Sequence, residues 1–256
     1  MKLNVIKVGG GIVEDDASLA RLLNDFSLLD GAKVLVHGGG RSATKLAAQM
    51  GIESQMINGR RVTDADMLRI VTMVYGGLVN KNLVAQLQAR GINALGLTGA
   101  DVNVMLSHRR PATPVDYGFV GDVDRCDGDM LARLISEGIV PVMAPLTHDG
   151  QGTLLNTNAD TIAAETAKAL APHFEVTLTY CFEKAGVLRD ADDDTTVIPH
   201  IDASGFEQLI ADGTIQGGMI PKIQNALDAC RTGVSRVVIT HASALTDSSR
   251  GTVITL

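Results

Sequence analysis

Apolar positions along this chain switch between two spacings. "LNVIKV" and "AKVLVH" are short, nearly continuous apolar runs rich in valine and isoleucine, the pattern of buried strands, whereas "ASLARLLNDFSLL" and "ATKLAAQMG" repeat apolar residues at helical intervals. Strand and helix in alternation predict a parallel sheet covered by helices. The rhythm continues with the long helical stretch "DMLRIVTMVYGGLVNKNLVAQLQARG", the buried strand "INALGLTG", and the helix "GDMLARLISEG" leading into strand "IVPVMAPL". One segment departs from it. From "NVMLSHRRP" to "YGFVGDV", short runs around a Pro/Gly turn predict antiparallel strands, an excursion that could cover a site. The Ala-rich helix "TIAAETAKALA", strand "EVTLTY", the acidic turn "RDADDDTT" and helix "ASGFEQLIADG" follow. Helix "MIPKIQNALDACRTG", strand "SRVVIT" and terminal strand "GTVITL" close the chain. No Pro/Ser linker, repeat or low-complexity tract interrupts the pattern. The expected fold class is α/β, a three-layer α/β/α sandwich with a mainly parallel open sheet, in one domain over 1–256 whose halves, about 1–172 and about 173–256, meet at a cleft.

Composition narrows the chemistry. A hydrophobic content of 45% in 256 residues is ample for a continuous core, and with aromatics at 3% and no Trp that core must be aliphatic. The scarcity of aromatics argues against base-stacking platforms, and a net charge of -7 argues against nucleic acid or an anionic membrane as a partner. Small phosphate-bearing molecules need only a few local cations. Cys126, Cys181 and Cys230 lack zinc-type spacing and suit a reduced compartment as core filler. No apolar run reaches membrane-spanning length and no signal peptide is recognisable, so a cytoplasmic location is expected.

Two strands end in glycine. "VIKVGGG" carries Lys7 one step before its turn, and "VLVHGGG" runs into the helix from Ala43 to Met50. A lysine at the carboxyl end of a strand, followed by backbone that can approach a ligand closely, suits an anion site in an open α/β sheet; the alternative is an edge-strand lysine reaching for water. If both strands are parallel, both turns lie on one carboxyl edge, where helix N-termini and free N–H groups attract anions. Gly38 to Ala43 satisfies the dinucleotide pattern G-x-G-x-x-A, but the polar, turn-rich "IESQMINGRRVT" replaces the expected second strand and its acid. Neither a P-loop nor the protein-kinase glycine loop is present.

Three further segments are polar beyond structural need. "NGRRVTDAD" precedes a helix capped by Thr63 or Asp64; Arg60 reads as solvated, while Arg61, beside Val62, points inward and could hold a carboxylate with both nitrogens. In "LLNTNAD", capping requires only one of Asn156, Asn158 and Asp160, and an extended backbone would put all three on one side. "QGGMIPK" sets two glycines before a helix and Lys222 one turn inside it, where a solvated surface lysine is the competing reading. Two lysines, a carboxylate between them in sequence, glycine turns and an arginine together suit phosphoryl transfer, in which catalysis is mostly positioning and charge neutralisation.

At these residues the sequence resembles the amino acid kinase family, and within it the branch that phosphorylates N-acetyl-L-glutamate in arginine biosynthesis. The likeness runs nearly end to end through "IKVGGG", "VHGGG", "NGRRVT", "GFVGDV", "NTNAD", "GGMIPK" and "GTVI". It implies that Lys7 and Lys222 stabilise the phosphoryl group in flight, that Asp160 orients both lysines, and that Gly9 and Gly10 turn their amides to the γ-phosphate. Gly39, Gly40, Arg61 and Asn156 would hold an N-acyl-L-glutamate in the N-terminal lobe. Asn158, Glu183, Gly186, Leu188, Thr214 and Gln216 would serve ATP, mostly in the C-terminal lobe, with Mg²⁺ held mainly by phosphates and water and no protein metal site. The acyl group is not read by any of these motifs; succinyl is an alternative to acetyl, and a silent ligand-binding relative or a Rossmann oxidoreductase are more distant alternatives. The chain departs from the family at "CFEKAGV", with Glu183 for an aspartate and Lys184 for a valine, and between His241 and Gly251, where a terminal helix is expected to be lacking. It opens directly on its first strand, which implies a homodimer insensitive to arginine.

Overall fold

The first apolar run becomes the middle of the molecule. In the computed structural model, which describes residues 1–256 except Ala191, Gly218 and Ser248, Lys2–Val8 forms β1. It is followed by α1 (Gly10–Val13), α2 (Asp16–Leu28), β2 (Ala32–His37) and α3 (Gly40–Gln49). The short ribbon β3 (Met56–Ile57) and β4 (Arg60–Arg61) leads to α4 (Ala65–Val71), a π-helical stretch (Thr72–Val79) and α5 (Asn80–Gln88). Then come β5 (Ala94–Leu97), β6 (Met105–Arg109), β7 (Gly121–Cys126), α6 (Gly128–Ser136), β8 (Val140–Met143), β9 (Leu146–His148), β10 (Leu154–Asn156) and α7 (Ala159–Leu170). The last part holds β11 (Glu175–Phe182), β12 (His200–Ile201), α8 (Ala203–Ala211), α9 (Met219–Arg231), β13 (Arg236–His241) and β14 (Thr252–Ile254).

Eight strands make one sheet in the order β12-β14-β13-β11-β1-β2-β8-β5, and every neighbouring pair is parallel except β13 with β14. The exception has a geometric cause. A parallel return needs a crossover of about a dozen residues or more, whereas residues 242–251 hold a single 3-10 turn, Ala242–Ala244, and no α-helix among the described residues. The excursion around Pro111 and Pro114 forms its own sheet, β10-β9-β6-β7, with β6 and β7 antiparallel.

Alternation along β1 sorts the core into two layers. Leu3 and Val5 pack with Leu131 of α6, Ile162 of α7 and Ile223 of α9, while Ile6 and Val8 pack with Leu22 and Phe26 of α2, Ala43 of α3 and Ile70 of α4. Each fully buried Leu or Ile there contributes about 1.5–3 kcal/mol. Lys7 shares the parity of Leu3 and Val5, so its side chain leaves the sheet on the α7 and α9 face. The helices on both faces start at sequence-encoded caps: Asp15, Asp64, Asp127 and Asp202 each accept the amide three residues on.

Residues 65–88 form one continuous helical stretch, as the apolar spacing predicts, but its middle is π-helical. A π turn carries an extra residue, shifting which side chains face the sheet; such turns concentrate at functional sites. Tyr75 lies in it and packs on the second glycine turn, where a Cβ on Gly39 would come within 2.9 Å of its ring.

Candidate active site

Because β1 and β2 are parallel with Val8 opposite His37, their glycine turns emerge side by side. Gly38 donates its amide to the Val8 carbonyl (3.2 Å), and a Cβ on Gly10 would meet the amide nitrogens of Gly39 and Gly40 at 3.6 and 3.7 Å. A Cβ on Gly38 would stand 3.2 Å from the amide nitrogen of Gly10, closer than an ordinary contact, so glycine suits the place where the two turns meet. Glu14 ties the turns together: its Oε1 accepts from the amide (2.5 Å) and hydroxyl (2.9 Å) of Ser42 in α3. The first turn differs from expectation in one respect. Gly9 gives its amide to the carbonyl of Cys181 (3.3 Å), pinning the turn to β11. Helix geometry instead orphans the amides of Gly10 and Gly11, the first two residues of α1, and both residues line the cleft.

Opposite these amides stand the lysines. Lys7 is 7% exposed, and its Nζ lies 2.8 Å from Asp160 Oδ1 in the first turn of α7. An ammonium buried this deeply needs its counter-charge; removing a partner from such a pair costs more than the pair itself contributes. Asp160 makes no corresponding pair with Lys222, so the orientation of both lysines by one carboxylate is seen for Lys7 alone. Lys222, exposed on α9, is brought in by an aromatic ring. The Nζ atoms of Lys7 and Lys222 are 5.0 and 4.6 Å from the centroid of Phe182, within cation–π range, so they are no farther apart than the sum of those distances. Sequence reasoning passed over Phe182, whose only signal was its place at the end of β11 beside β1. Lys7, Gly10, Gly11, Arg61, Phe182 and Lys222 share one cleft of about 620 Å³.

A smaller pocket of about 190 Å³ adjoins it, lined by Gly39, Gly40, Arg60, Arg61, Tyr75 and Asn156 among others. Arg61 is buried, and its guanidinium donates to Gly40 O (2.8 Å), Thr44 Oγ1 (2.8 Å) and Ser54 Oγ (2.9 Å). All of these acceptors are neutral. A buried cation oriented by dipoles and without a carboxylate is arranged for an anion that comes from outside. Asn156 donates its side-chain amide to Thr63 Oγ1 (2.9 Å) and its backbone amide to Phe119 O (2.8 Å), which joins the pocket to the β6–β7 excursion. Asn156, Asn158 and Asp160 do not share an extended face. The strand ends at Asn156, and Asn158 caps α7 by accepting from the amides of Asp160 (2.7 Å) and Thr161 (3.3 Å), so its oxygen is already used. Arg60 is also not the solvated residue expected: it is half-buried at the pocket, and burial, then nearby Arg110, lowers its pKa.

A further cavity of about 550 Å³ is lined by Gly186, Leu188, Thr214 and Gln216, and it joins the main cleft through Lys184, Gly186 and Met219. Gly186 is compact by necessity, since a Cβ there would stand 2.9 Å from Thr252 Oγ1. Glu183 is absent from this lining. It borders the main cleft and pairs with Arg41 (3.2 Å), beside Gly11, where a Cβ would displace its exposed carboxylate. Of the two glycines ahead of α9, Gly218 lies outside the described residues.

Carboxylates around the cleft are single and paired, Glu183 with Arg41 and Asp160 with Lys7, and the described residues contain no group of three or more His, Cys, Asp or Glu able to hold a metal. That donor set fits an ion that keeps phosphate and water ligands. His37 is excluded from proton transfer by its surroundings. It is fully buried at the end of β2, where Nδ1 donates to Gly38 O (2.8 Å) and Nε2 accepts from Asn80 (3.1 Å), a tautomer assigned from these partners. Burial pushes its pKa down from 6.5 to about 4. Between those values the unfolded chain binds the proton that the folded chain refuses, so stability should decline as pH falls from about 6.5 towards 4. Urea titrations across that range should show a shallower decline for His37→Gln; an equal slope would exclude His37 as the source.

The family model described as "Amino acid kinase family" matches residues 2–241. Among curated relatives, an acetylglutamate kinase of Bacteroides thetaiotaomicron is 69% identical over 247 residues, covering 96% of each chain. An acetylglutamate kinase of Bacteroides fragilis is 68% identical over 244 residues, covering 95% of this chain and 94% of the relative. Among solved structures, a carbamate kinase of Giardia lamblia bound to AMP-PNP superposes with a TM-score of 0.70 at 15% identity, covering 99% of this chain and 98% of the other, a likeness of fold.

Proposed function

The chain belongs to the amino acid kinase family, and from that membership we propose how it works as an enzyme: it moves the γ-phosphoryl group of ATP to the side-chain carboxylate of N-acetyl-L-glutamate, a step of arginine biosynthesis. The acyl-glutamate occupies the smaller pocket, held at its α-carboxylate by Arg61 with Asn156, Gly39 and Gly40 around it. ATP lies along the cavity of Gly186, Leu188, Thr214 and Gln216, with its γ-phosphate towards Gly10 and Gly11. The N-terminal lobe, about 1–172, thus serves the acceptor and the remainder the donor.

The nucleophile needs no base. A glutamate side chain has a reference pKa of about 4.3 and is ionised at neutral pH. One of its oxygens attacks phosphorus, the bond from phosphorus to the β,γ-bridging oxygen breaks, and ADP leaves with that electron pair; no proton moves. The obstacle is repulsion between a carboxylate and a polyanion, which Lys7, Lys222 and the two helix amides offset as charge spreads over the equatorial oxygens. Asp160 fixes Lys7 on one side of that path. Mg²⁺ brought with ATP would be held mainly by phosphate and water oxygens and would supply charge neutralisation to the polyphosphate.

The observation that supports this reading most is the approach of Lys7 and Lys222 to one ring in the cleft that Gly10 and Gly11 also line. It is tested by incubating the protein with MgATP and hydroxylamine and N-acetyl-L-glutamate, L-glutamate or L-aspartate in turn. Hydroxamate should form with the acylated substrate; a signal from the free amino acids alone would refute the assignment. Two copies associate along the sheet edge at β5, where Leu95 is exposed, which light scattering of the purified chain would test. No helix among the described residues is long and apolar enough to cross a membrane, and a cytoplasmic site of action suits the three free cysteines.

A further inference from the structure

One tyrosine in the smaller pocket carries a proton that the protein itself does not use. Tyr75 is 5% exposed and lines that pocket with Gly39, Gly40, Arg61 and Asn156. Its hydroxyl has no acceptor among the described residues. The polar side chain beside it is Arg61, and a guanidinium only donates. A Cβ on Gly40 would lie 4.0 Å from Tyr75 Oη and 3.8 Å from Arg61 Nη2, so phenol and guanidinium flank one glycine of the second turn. Burial raises the pKa of the phenol above its ordinary value, against the opposing pull of Arg61, so the group keeps its proton at neutral pH. A buried donor without a partner is costly, and phenylalanine would fill the same space without that cost.

The helix holds the ring in place. Met67, Val71, Tyr75, Val79, Leu83 and Leu87 are all buried, at strict four-residue intervals. In a regular α-helix each such step drifts by about 40° around the axis, because 3.6 residues complete a turn. The wider π turns over Thr72–Val79 offset part of that drift and keep Tyr75 on the packed face, against Gly39. Arg61 complements it. Its Nη2 already donates to Gly40 O and Thr44 Oγ1 and its Nη1 to Ser54 Oγ, so the arginine brings charge to the pocket but few spare protons.

We propose that Tyr75 is a substrate-binding residue: its hydroxyl donates to the acceptor carboxylate that Arg61 holds, and it favours an anion over a neutral group at that place. The inference rests on the kinase reading above and adds a residue to its acceptor site. An O–H···O⁻ bond of this kind is shorter and stronger than one to a neutral oxygen, which gives the pocket a means of discrimination.

Tyr75→Phe tests it, because the ring and its packing on Gly39 remain and only the hydroxyl goes. The natural chain and the variant are assayed with MgATP and either N-acetyl-L-glutamate or its α-carboxamide, with thermal melting of both proteins. KM for N-acetyl-L-glutamate should rise by about tenfold or more in the variant, with kcat, KM for MgATP and the melting temperature little changed. The preference for carboxylate over carboxamide should narrow. An unchanged KM, or a rise that leaves that preference as it was, overturns the inference while the kinase reading stands. A KM shift shared by MgATP, with a lower melting temperature, marks a structural role and overturns it equally. A natural chain that does not turn over N-acetyl-L-glutamate overturns both readings together.

Discussion

Replacing Lys222 by alanine is expected to cut kcat by about a hundredfold or more, the scale on which loss of one transition-state charge contact is felt, while the melting temperature stays within a few degrees. The two halves of that expectation have separate origins. Lys222 is exposed on α9, forms no ion pair among the described residues, and contributes nothing to the core. Its ammonium nevertheless stands with Lys7 around Phe182, in a cleft also lined by Gly10 and Gly11, whose amides begin α1. Charge that accumulates only in the transition state is met by a cation whose removal leaves the ground state little changed, so KM should move less than kcat. Steady-state kinetics and a thermal melt on the same preparation check both halves. Near-normal turnover would remove Lys222 from the mechanism, and a large drop in melting temperature would reassign it to structure.

Arg61→Lys should show the opposite signature, with KM for the acyl-glutamate rising by about ten- to hundredfold, the equivalent of ~1.5–3 kcal/mol for a charge-assisted hydrogen bond, and a smaller change in kcat. The substitution keeps the charge and loses the planar fork. In the native site that fork spans Gly40 O, Thr44 Oγ1 and Ser54 Oγ at once, locating the guanidinium between α3 and β4. A lysine ammonium cannot reach all three acceptors, so its charge would not be held where the guanidinium is. Isothermal titration with N-acetyl-L-glutamate separates the outcomes: unchanged affinity would place the substrate carboxylate elsewhere.

Much of this arrangement is legible from the chain. Period-two and period-3.6 apolar spacing locates β1, α2 and β2, and the glycines after Val8 and His37 mark the one edge where a parallel sheet exposes helix N-termini. Arg61 is recognisable as inward-facing from Val62 beside it. What escapes is whatever depends on contacts distant in sequence. Gly9 is spent on Cys181 because β11 lies next to β1, a pairing that no local pattern announces. Asn158 goes to capping because the strand stops two residues earlier than simple alternation suggests. Arg60 reads as solvated until the β6–β7 excursion folds back over it, and Phe182 is one apolar residue among many until two lysines converge on its face. Local chemistry names the groups; the topology decides which are already occupied.

The unequal shelter of the two ammonium groups carries a consequence for ionic strength. Lys7, enclosed between sheet and α7 beside Asp160, is out of reach of mobile counter-ions, while Lys222 faces water, where the Debye length is about 10 Å at 0.1 M salt. Added potassium chloride should therefore erode turnover only down to a floor sustained by the screened-off cation, and in Lys222→Ala most of that erosion should already be gone.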